Sequence, residues 1–205
     1  HFIGIVKYYT IPADMPDARQ GEYCMGPGKK LTDVINRAIG DKKIIAEDLG
    51  VSVPEVNELL EENNYPGMKV LEFAFGGDRK NPHLPHNYTQ NCVVYGGTHD
   101  NETLVSWYQT ITAAERAMVR DYLYDYATPE EQLYKSMIAL VLRSAAATCI
   151  IPMQDWLGLD NSARINKPST VGENWRWRLK KTQLTKKLQK EICRMTTRYG
   201  RMNWE

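Results

Sequence analysis

The sequence predicts an α/β fold in which helices cover the faces of a parallel sheet. Two observations lead to this prediction. Short apolar runs alternate along the chain with longer stretches in which apolar residues recur at helical spacing. The apolar runs are also nearly continuous, as expected for strands that are buried on both faces. With 205 residues, of which 42% are hydrophobic, the chain is long enough to bury a substantial core.

Four strands are predicted, and each ends in glycine or in acidic residues. KKIIAEDLG has a β-branched pair before its acids, while MKVLEFAFGG, NCVVYGGTHD and AAATCIIPMQD are apolar runs as short as buried strands usually are. The segment between the second and third runs is rich in Gly, Pro and Asn, which predicts a loop rather than a domain linker. The predicted strands cover residues 42–50, 68–77, 91–100 and 145–155.

Five helices are predicted from apolar spacing and from residues that begin or end helices. Glycine stands at both limits of the first helix, and a proline opens the second. The last helix is rich in lysine, and its charged face is most simply explained by exposure to solvent. The predicted helices cover residues 28–40, 54–64, 112–125, 129–145 and 185–200.

Polar residues gather where the predicted strands end. In a (β/α)8 barrel the active site lies at the carboxyl ends of the strands, and in a doubly wound sheet it lies where the strand order reverses. Both folds therefore favour functional side chains at these positions, although an acid after a strand is also a common helix N-cap. The residues concerned are Glu47 and Asp48, Gly76 to Asp78, His99 and Asp100, and Gln154 and Asp155.

Two of these acids, Glu47 and Asp100, suggest glycosidic chemistry because no metal or cofactor motif accompanies them. A carboxyl group that donates a proton and a second that stays ionised are the equipment for cleaving a glycosidic bond. Aromatic side chains suit a sugar substrate because they offer apolar faces with polar rims, although each is also a candidate core residue. These aromatics are Tyr8, Tyr9, Trp107, Trp156, Trp175 and Trp177.

Two alternatives use the same residues differently. A metal-dependent hydrolase would draw its ligands from His83, His86 and His99 with Asp78 or Asp100, although no HExxH motif is present. A sugar-binding module without turnover would use only the aromatics and His99.

Composition limits the partners and the location that we expect. The formal net charge of +1 gives no indication of a nucleic-acid or membrane partner, and no apolar stretch is long enough to span a bilayer. Four widely spaced cysteines without a CxxC pair favour a reducing, cytoplasmic location. No cofactor is expected.

Six segments resemble consecutive blocks of one enzyme family over nearly the whole chain. They are KKIIAEDLGVSVPEV, YPGMKVLEFAFGGD, NPHLPHNY, VVYGGTHDNETLVSWY, IIPMQDWLGLDNSARIN and NWRWRL, of which AEDLG and THDN are the most specific. The family is that of the 4-alpha-glucanotransferases, also called amylomaltases or disproportionating enzymes, which form glycoside hydrolase family 77. The resemblance implies a (β/α)8 TIM barrel that transfers segments of α-1,4-glucan to glucose or another α-glucan with retention at the anomeric carbon.

The resemblance also implies roles for individual residues. Glu47 would be the general acid/base, Asp100 would stabilise the transition state, and His99 would contact the sugar in the donor subsite next to the scissile bond. Asp48 and Asn166 would be further substrate-binding residues. No metal ligand or cofactor site is implied, and the expected partners are α-1,4-glucans such as maltodextrins, together with maltose and glucose.

By the same resemblance, the sequence begins immediately after the aspartate that the family uses as its nucleophile. We therefore expect residues 1–205 to be a single partial domain, the C-terminal half of the barrel, truncated just after the nucleophile strand. Half a barrel exposes open sheet edges and an apolar face, so the isolated chain is expected to associate and to be inactive. The missing N-terminal half of the polypeptide would be its partner.

Overall fold

The computed structural model describes residues 1–50 and 53–202, in two compact units. The first unit consists of His1–Met68 with Asn91–Val93, and the second contains the other described residues. Val51 and Ser52, within the first family-like block, and residues 203–205 lie outside the described residues. The single partial domain that the sequence predicts stays a prediction.

The first unit contains an antiparallel hairpin that the sequence did not predict. In this hairpin Lys7–Thr10 pairs with Glu22–Met25, and Lys7 lies opposite Met25. The predicted helices 28–40 and 54–64 are confirmed, and Pro54 opens the latter. The elements are α1 (Ile3–Val6), β1 (Lys7–Thr10), β2 (Glu22–Met25), α2 (Lys29–Ile39) and α3 (Pro54–Asn63). The core of the unit consists of Phe2, Val6, Ala46, Val53, Val56, Leu59, Leu60 and Tyr65.

The predicted strand 42–50 is wrong, because no strand forms over these residues. Their backbone makes isolated hydrogen bonds instead of a ladder. The amide of Ala46 donates to the carbonyl of Pro66 (3.0 Å), and the carbonyl of Glu47 accepts from the amide of Phe2 (2.7 Å). The β-branched pair Ile44 and Ile45 therefore predicted a strand in a segment whose backbone makes isolated hydrogen bonds and no strand pairing.

Three strands form the predicted parallel sheet, in the order β3 (Gly67–Val70), β4 (Cys92–Tyr95) and β5 (Thr148–Ile150). Just before β4 and β5, the amide of Ala147 donates to the carbonyl of Gln90 (2.8 Å). Just after β3 and β4, the amide of Glu72 donates to Gly96 (3.2 Å). The strands are shorter than predicted, since a 3₁₀ turn at Leu71–Phe73 ends β3.

The second unit contains most of the helices. The predicted helices in 112–125, 129–145 and 185–200 are confirmed with shorter limits. The helices Leu104–Thr110 and Met153–Trp156 were not predicted. Threonine caps three of the five helices, at Thr103, Thr112 and Thr185. No helix within the described residues is long and apolar enough to cross a membrane. The helices are α4 (Leu104–Thr110), α5 (Ala113–Leu123), α6 (Leu133–Leu142), α7 (Met153–Trp156) and α8 (Lys186–Arg198).

Candidate functional site

Glu47 presents its carboxylate at the surface of the first unit. The preceding Ala46 is buried in the core of that unit, and the Glu47 backbone is fixed by its hydrogen bond from Phe2. The Glu47 side chain is 46% exposed, and its Oε1 lies 2.8 Å from Nδ1 of His1. A carboxylate that is anchored through its backbone but open to solvent is accessible to a ligand.

Asp48, the next residue, is engaged in structure. Its Oδ1 accepts a hydrogen bond from the amide of Met68 at 2.7 Å. Gly67 makes room for this contact, because a Cβ at Gly67 would overlap the Asp48 carboxylate. The substrate-binding role expected for Asp48 stays a prediction.

In the second unit, a tight turn carries His99 and Asp100. Its first residue, Thr98, accepts a backbone hydrogen bond from Asn101 at 3.2 Å. The Asn101 side-chain oxygen accepts from the Thr98 amide (3.0 Å) and from the Thr98 hydroxyl (2.7 Å). The two central residues are therefore held at the tip, with side chains that are 54% and 48% exposed.

Asp100 lies at the centre of a polar cluster that includes Asn166. Its Oδ1 accepts from Nδ2 of Asn166 at 2.7 Å and lies 3.2 Å from Nε2 of His99. The Asn166 amide donates to the carbonyl of His99 at 3.1 Å. Arg164 joins both segments, since its guanidinium donates to the backbone carbonyls of Asp100 (2.6 Å) and Asn166 (2.9 Å). The structure thus brings together three predicted site residues, Asp100, His99 and Asn166.

Trp175 adds an exposed aromatic surface to this cluster. Its ring centroid lies 5.2 Å from that of His99, and the residue is 57% exposed. Its backbone is left-handed, with φ 64°, and its amide donates to the carbonyl of Ile165 at 2.7 Å. Such a conformation costs a large residue roughly 1–2 kcal/mol, so the surrounding loop must hold it. Sequence reasoning gave Trp175 as one aromatic among six and did not identify Arg164.

A polar cavity of about 600 Å³ opens beside this cluster in the second unit. Its lining includes charges of both signs and one tryptophan, which is the mixture of groups that can contact sugar hydroxyls and sugar ring faces. The lining residues are Glu102, Asn161, Ser162, Arg164, Asn166, Lys167, Glu173, Asn174, Arg176 and Trp177.

Behind the turn, the second unit buries two carboxyl groups, Glu72 and Asp155. Asp155 is 1% exposed and accepts from the amide of Leu104 at 2.9 Å. Burial raises the pKa of Asp155 to about 6, although the hydrogen bond from Leu104 opposes the shift. The strand-end pair Gln154 and Asp155, which the sequence placed among the candidate functional residues, is therefore part of the interior.

The raised pKa of Asp155 predicts that stability falls with pH. The unfolded chain releases the Asp155 proton near pH 4, but the folded chain retains it up to about pH 6. The contribution of Asp155 to stability is therefore greatest below pH 4, decreases by about 3 kcal/mol as the pH rises through 6, and is constant above that. Asp155→Asn should remove the decrease while retaining an acceptor for Leu104.

Urea unfolding at pH 4, 5, 6 and 7 measures this effect as the difference between the wild type and the variant. Asp14→Asn, at an exposed position, is the matched control. A wild-type to Asp155→Asn difference that does not change across this range would contradict the prediction.

The alternative metal site is not assembled in the structure. Within residues 1–50 and 53–202, no three His, Cys, Asp or Glu side chains are grouped so as to hold a metal ion. His83 Nδ1 accepts from the Val70 amide at 3.1 Å, and the His86 ring stacks on Tyr122 at a centroid distance of 5.7 Å. His99 lies in the Asp100 cluster described above.

The candidate residues thus form one group in each unit. Glu47 and Asp48 belong to the first unit, and His99, Asp100 and Asn166 belong to the second. That Glu47 and Asp100 share one cleft stays a prediction.

Comparison with known proteins adds an independent observation. A family model described as 4-alpha-glucanotransferase matches residues 1–185. The chain belongs to this family. Among 4-alpha-glucanotransferases, the chain is 45% identical over 201 residues to that of Clostridium butyricum, covering 98% of this chain and 41% of the relative. It is 43% identical over 205 residues to the chloroplastic/amyloplastic 4-alpha-glucanotransferase of Arabidopsis thaliana, covering 98% of this chain and 35% of the relative.

A solved 4-alpha-glucanotransferase-family structure also resembles this chain. The amylomaltase of Streptococcus agalactiae, in complex with acarbose, superposes with a TM-score of 0.90 at 35% identity. The match covers 99% of this chain and 41% of the amylomaltase. The chain therefore spans well under half the length of these relatives.

Proposed function

We propose that this chain is part of a 4-alpha-glucanotransferase that moves segments of α-1,4-glucan to glucose, maltose or a maltodextrin. The observation that carries the proposal is the Asp100 cluster, in which an exposed carboxylate is hydrogen-bonded by Asn166 and flanked by His99 and the exposed Trp175. A fixed negative charge beside an aromatic face suits a sugar ring that develops positive charge. Membership of the 4-alpha-glucanotransferase family supports α-1,4-glucans as the substrate class.

In the proposed mechanism, Glu47 transfers a proton in both half-reactions. Its carboxylic acid protonates the leaving glycosidic oxygen while a second carboxylate attacks the anomeric carbon. The resulting Glu47 carboxylate then takes the proton of the acceptor 4-hydroxyl as that oxygen displaces the enzyme carboxylate. Asp100 offsets the charge of the oxocarbenium-like transition states in both steps.

We propose that the attacking aspartate lies immediately before His1 in the full polypeptide. The contact between His1 Nδ1 and Glu47 Oε1 supports this assignment, because adjacent Cα atoms are only about 3.8 Å apart. A retaining enzyme needs its nucleophile about 5 to 5.5 Å from its acid/base. The isolated 205-residue chain is therefore expected to be inactive, and the N-terminal part of the same polypeptide is its proposed partner.

We further propose that the three parallel strands and their helices belong to the C-terminal half of a (β/α)8 barrel. In such a barrel, residues that follow the strands converge on one mouth, which is where Asp100, after β4, would lie. We propose that Glu47, although its segment forms no strand here, shares this cleft by the family resemblance. The widely spaced cysteines favour a cytoplasmic location for the enzyme.

Maltotriose is the substrate that tests this function in the full-length polypeptide. Transfer of a maltosyl unit between two maltotriose molecules gives maltopentaose and glucose, whereas hydrolysis gives maltose and glucose only. We expect equal amounts of glucose and maltopentaose at early times. Hydrolysis products alone would contradict the proposal, and so would binding of maltoheptaose in calorimetry without any turnover.

A further inference from the structure

Glu72 is a buried acid that has no part in the mechanism proposed above. It follows β3 directly, is 8% exposed, and donates its backbone amide to the carbonyl of Gly96. Its Oε1 has no hydrogen-bond partner within the part of the chain that the structure describes. A Cβ placed on Gly97 would lie 2.5 Å from this oxygen, so the carboxyl group packs directly against the Gly97 backbone.

The same carboxyl group is connected to the turn that carries His99 and Asp100. The Asn101 side chain lies beside the Glu72 carboxyl group, since a Cβ placed on Gly97 would lie 3.1 Å from both the Asn101 Cβ and the Glu72 Cδ. Through its own oxygen, Asn101 also accepts from the amide and the hydroxyl of Thr98. Glu72 therefore lies against the Gly97 backbone before the turn and beside the Asn101 side chain at its end, while His99 and Asp100 between them are exposed.

The charges around Glu72 favour its neutral form. Burial raises the pKa of Glu72 well above its ordinary value, and the nearby carboxyl groups of Asp155 and Glu102 raise it further. The Arg164 guanidinium and the nearby Asn101 side chain oppose the shift. Ionisation would place an uncompensated charge against the Gly97 backbone, where desolvation makes a charge costly.

We propose that Glu72, buried against the Gly97 backbone and beside Asn101, is the positioning residue for the turn Thr98–Asn101, and that a negative charge on its carboxyl group releases His99 and Asp100 from their arrangement. The consequence for catalysis rests on the function proposed above. The effect of Glu72 on the turn does not depend on that function, because it concerns a titration and a backbone movement within the second unit.

Nuclear magnetic resonance of the full-length polypeptide tests the effect of Glu72 on the turn between pH 5 and 10. We expect a glutamate side-chain carboxyl signal that titrates well above the ordinary range of glutamate in the wild type and is absent from Glu72→Gln. The amide signals of His99 and Asp100 should move with this titration in the wild type and stay unchanged over the same range in Glu72→Gln. Glu58→Gln, at an exposed position, is the matched control and should retain both effects.

Titration of Glu72 in the ordinary range of glutamate would overturn the proposal, and so would equal movement of the His99 and Asp100 amides in the wild type and in Glu72→Gln. If Glu72→Gln does not fold, Asn101→Ala provides the second test, because it removes the side chain that lies between the Glu72 carboxyl group and Thr98 and keeps the acid. In Asn101→Ala the carboxyl signal should still titrate well above the ordinary range of glutamate, but the amides should no longer follow it. Amides that still follow it would contradict the connection.

In the full-length polypeptide, the same proposal predicts a change in the alkaline limit of transfer. The fall of kcat at high pH should move to higher pH by at least one unit in Glu72→Gln, with little change of KM. Glu72→Ala should lose about tenfold in kcat at pH 7, and Glu72→Gln should restore it. An unchanged alkaline limit would count against the role in catalysis. Absence of transfer at any pH, with the resonance result intact, would instead remove the proposed function alone.

Discussion

Replacement of Glu47 by glutamine is expected to lower kcat for maltotriose by about 10³-fold in the full-length polypeptide. Glutamine has nearly the same shape as glutamate but can neither protonate the leaving oxygen nor accept the acceptor proton. Because Glu47 is an exposed side chain outside the core of its unit, the loss should come without a loss of stability. The rate of glucose release measures kcat, and thermal unfolding measures stability.

The leaving group provides a sharper test of the Glu47 role. In maltosyl fluoride the fluoride leaves without protonation. Glu47→Gln should therefore form the covalent intermediate from this donor at nearly the wild-type rate. Glu58→Gln, at an exposed position of α3, should behave as the wild type with both donors. A Glu47→Gln enzyme that turns over maltotriose normally would remove Glu47 from the mechanism.

Asp100→Asn should reduce kcat by about 10²- to 10³-fold, and it should do so for every leaving group. Asparagine retains an oxygen that can accept from Asn166, so the cluster should stay assembled while its negative charge is lost. The positive charge of the transition state develops at the sugar whichever group departs. Maltosyl fluoride should restore the rate of intermediate formation in Glu47→Gln. It should not restore that rate in Asp100→Asn.

Two measurements decide the Asp100 prediction. Initial rates with maltotriose and with maltosyl fluoride give the two losses, and the chemical shift of the Asn166 side-chain amide reports whether the cluster is intact. Asp14→Asn is the control for loss of a carboxylate charge at an exposed position. A loss confined to maltotriose would indicate that Asp100 acts on the leaving group instead.

The elements that were predictable from sequence are those with strong local signals. Helices α2, α3 and α8 combine apolar spacing with clear limits, and their positions are confirmed. The hairpin β1–β2 was missed because its two strands are far apart in sequence and present exposed side chains such as Tyr23 and Met25. The strand predicted at 42–50 is wrong for a different reason. A β-branched pair favours extended backbone locally, but it does not specify a partner strand.

The site was predictable only in part. THDN identified His99 and Asp100, and the structure joins them to Asn166, which lies 66 residues further along the chain. Glu72 lies within an apolar run and resembles an ordinary strand residue, so nothing local distinguishes it. Its importance depends on which backbone covers it and which carboxyl groups lie near it, and both are set by tertiary packing.

The division of the candidate residues between two compact units has a consequence for how the enzyme would lose function on heating. Each unit has its own buried apolar residues, so the two need not lose their structure at the same temperature. Inactivation would therefore follow whichever unit is more fragile, while circular dichroism would mainly reflect the larger one, which holds most of the helices. An activity half-life and a melting midpoint measured on the full-length polypeptide would then describe different events.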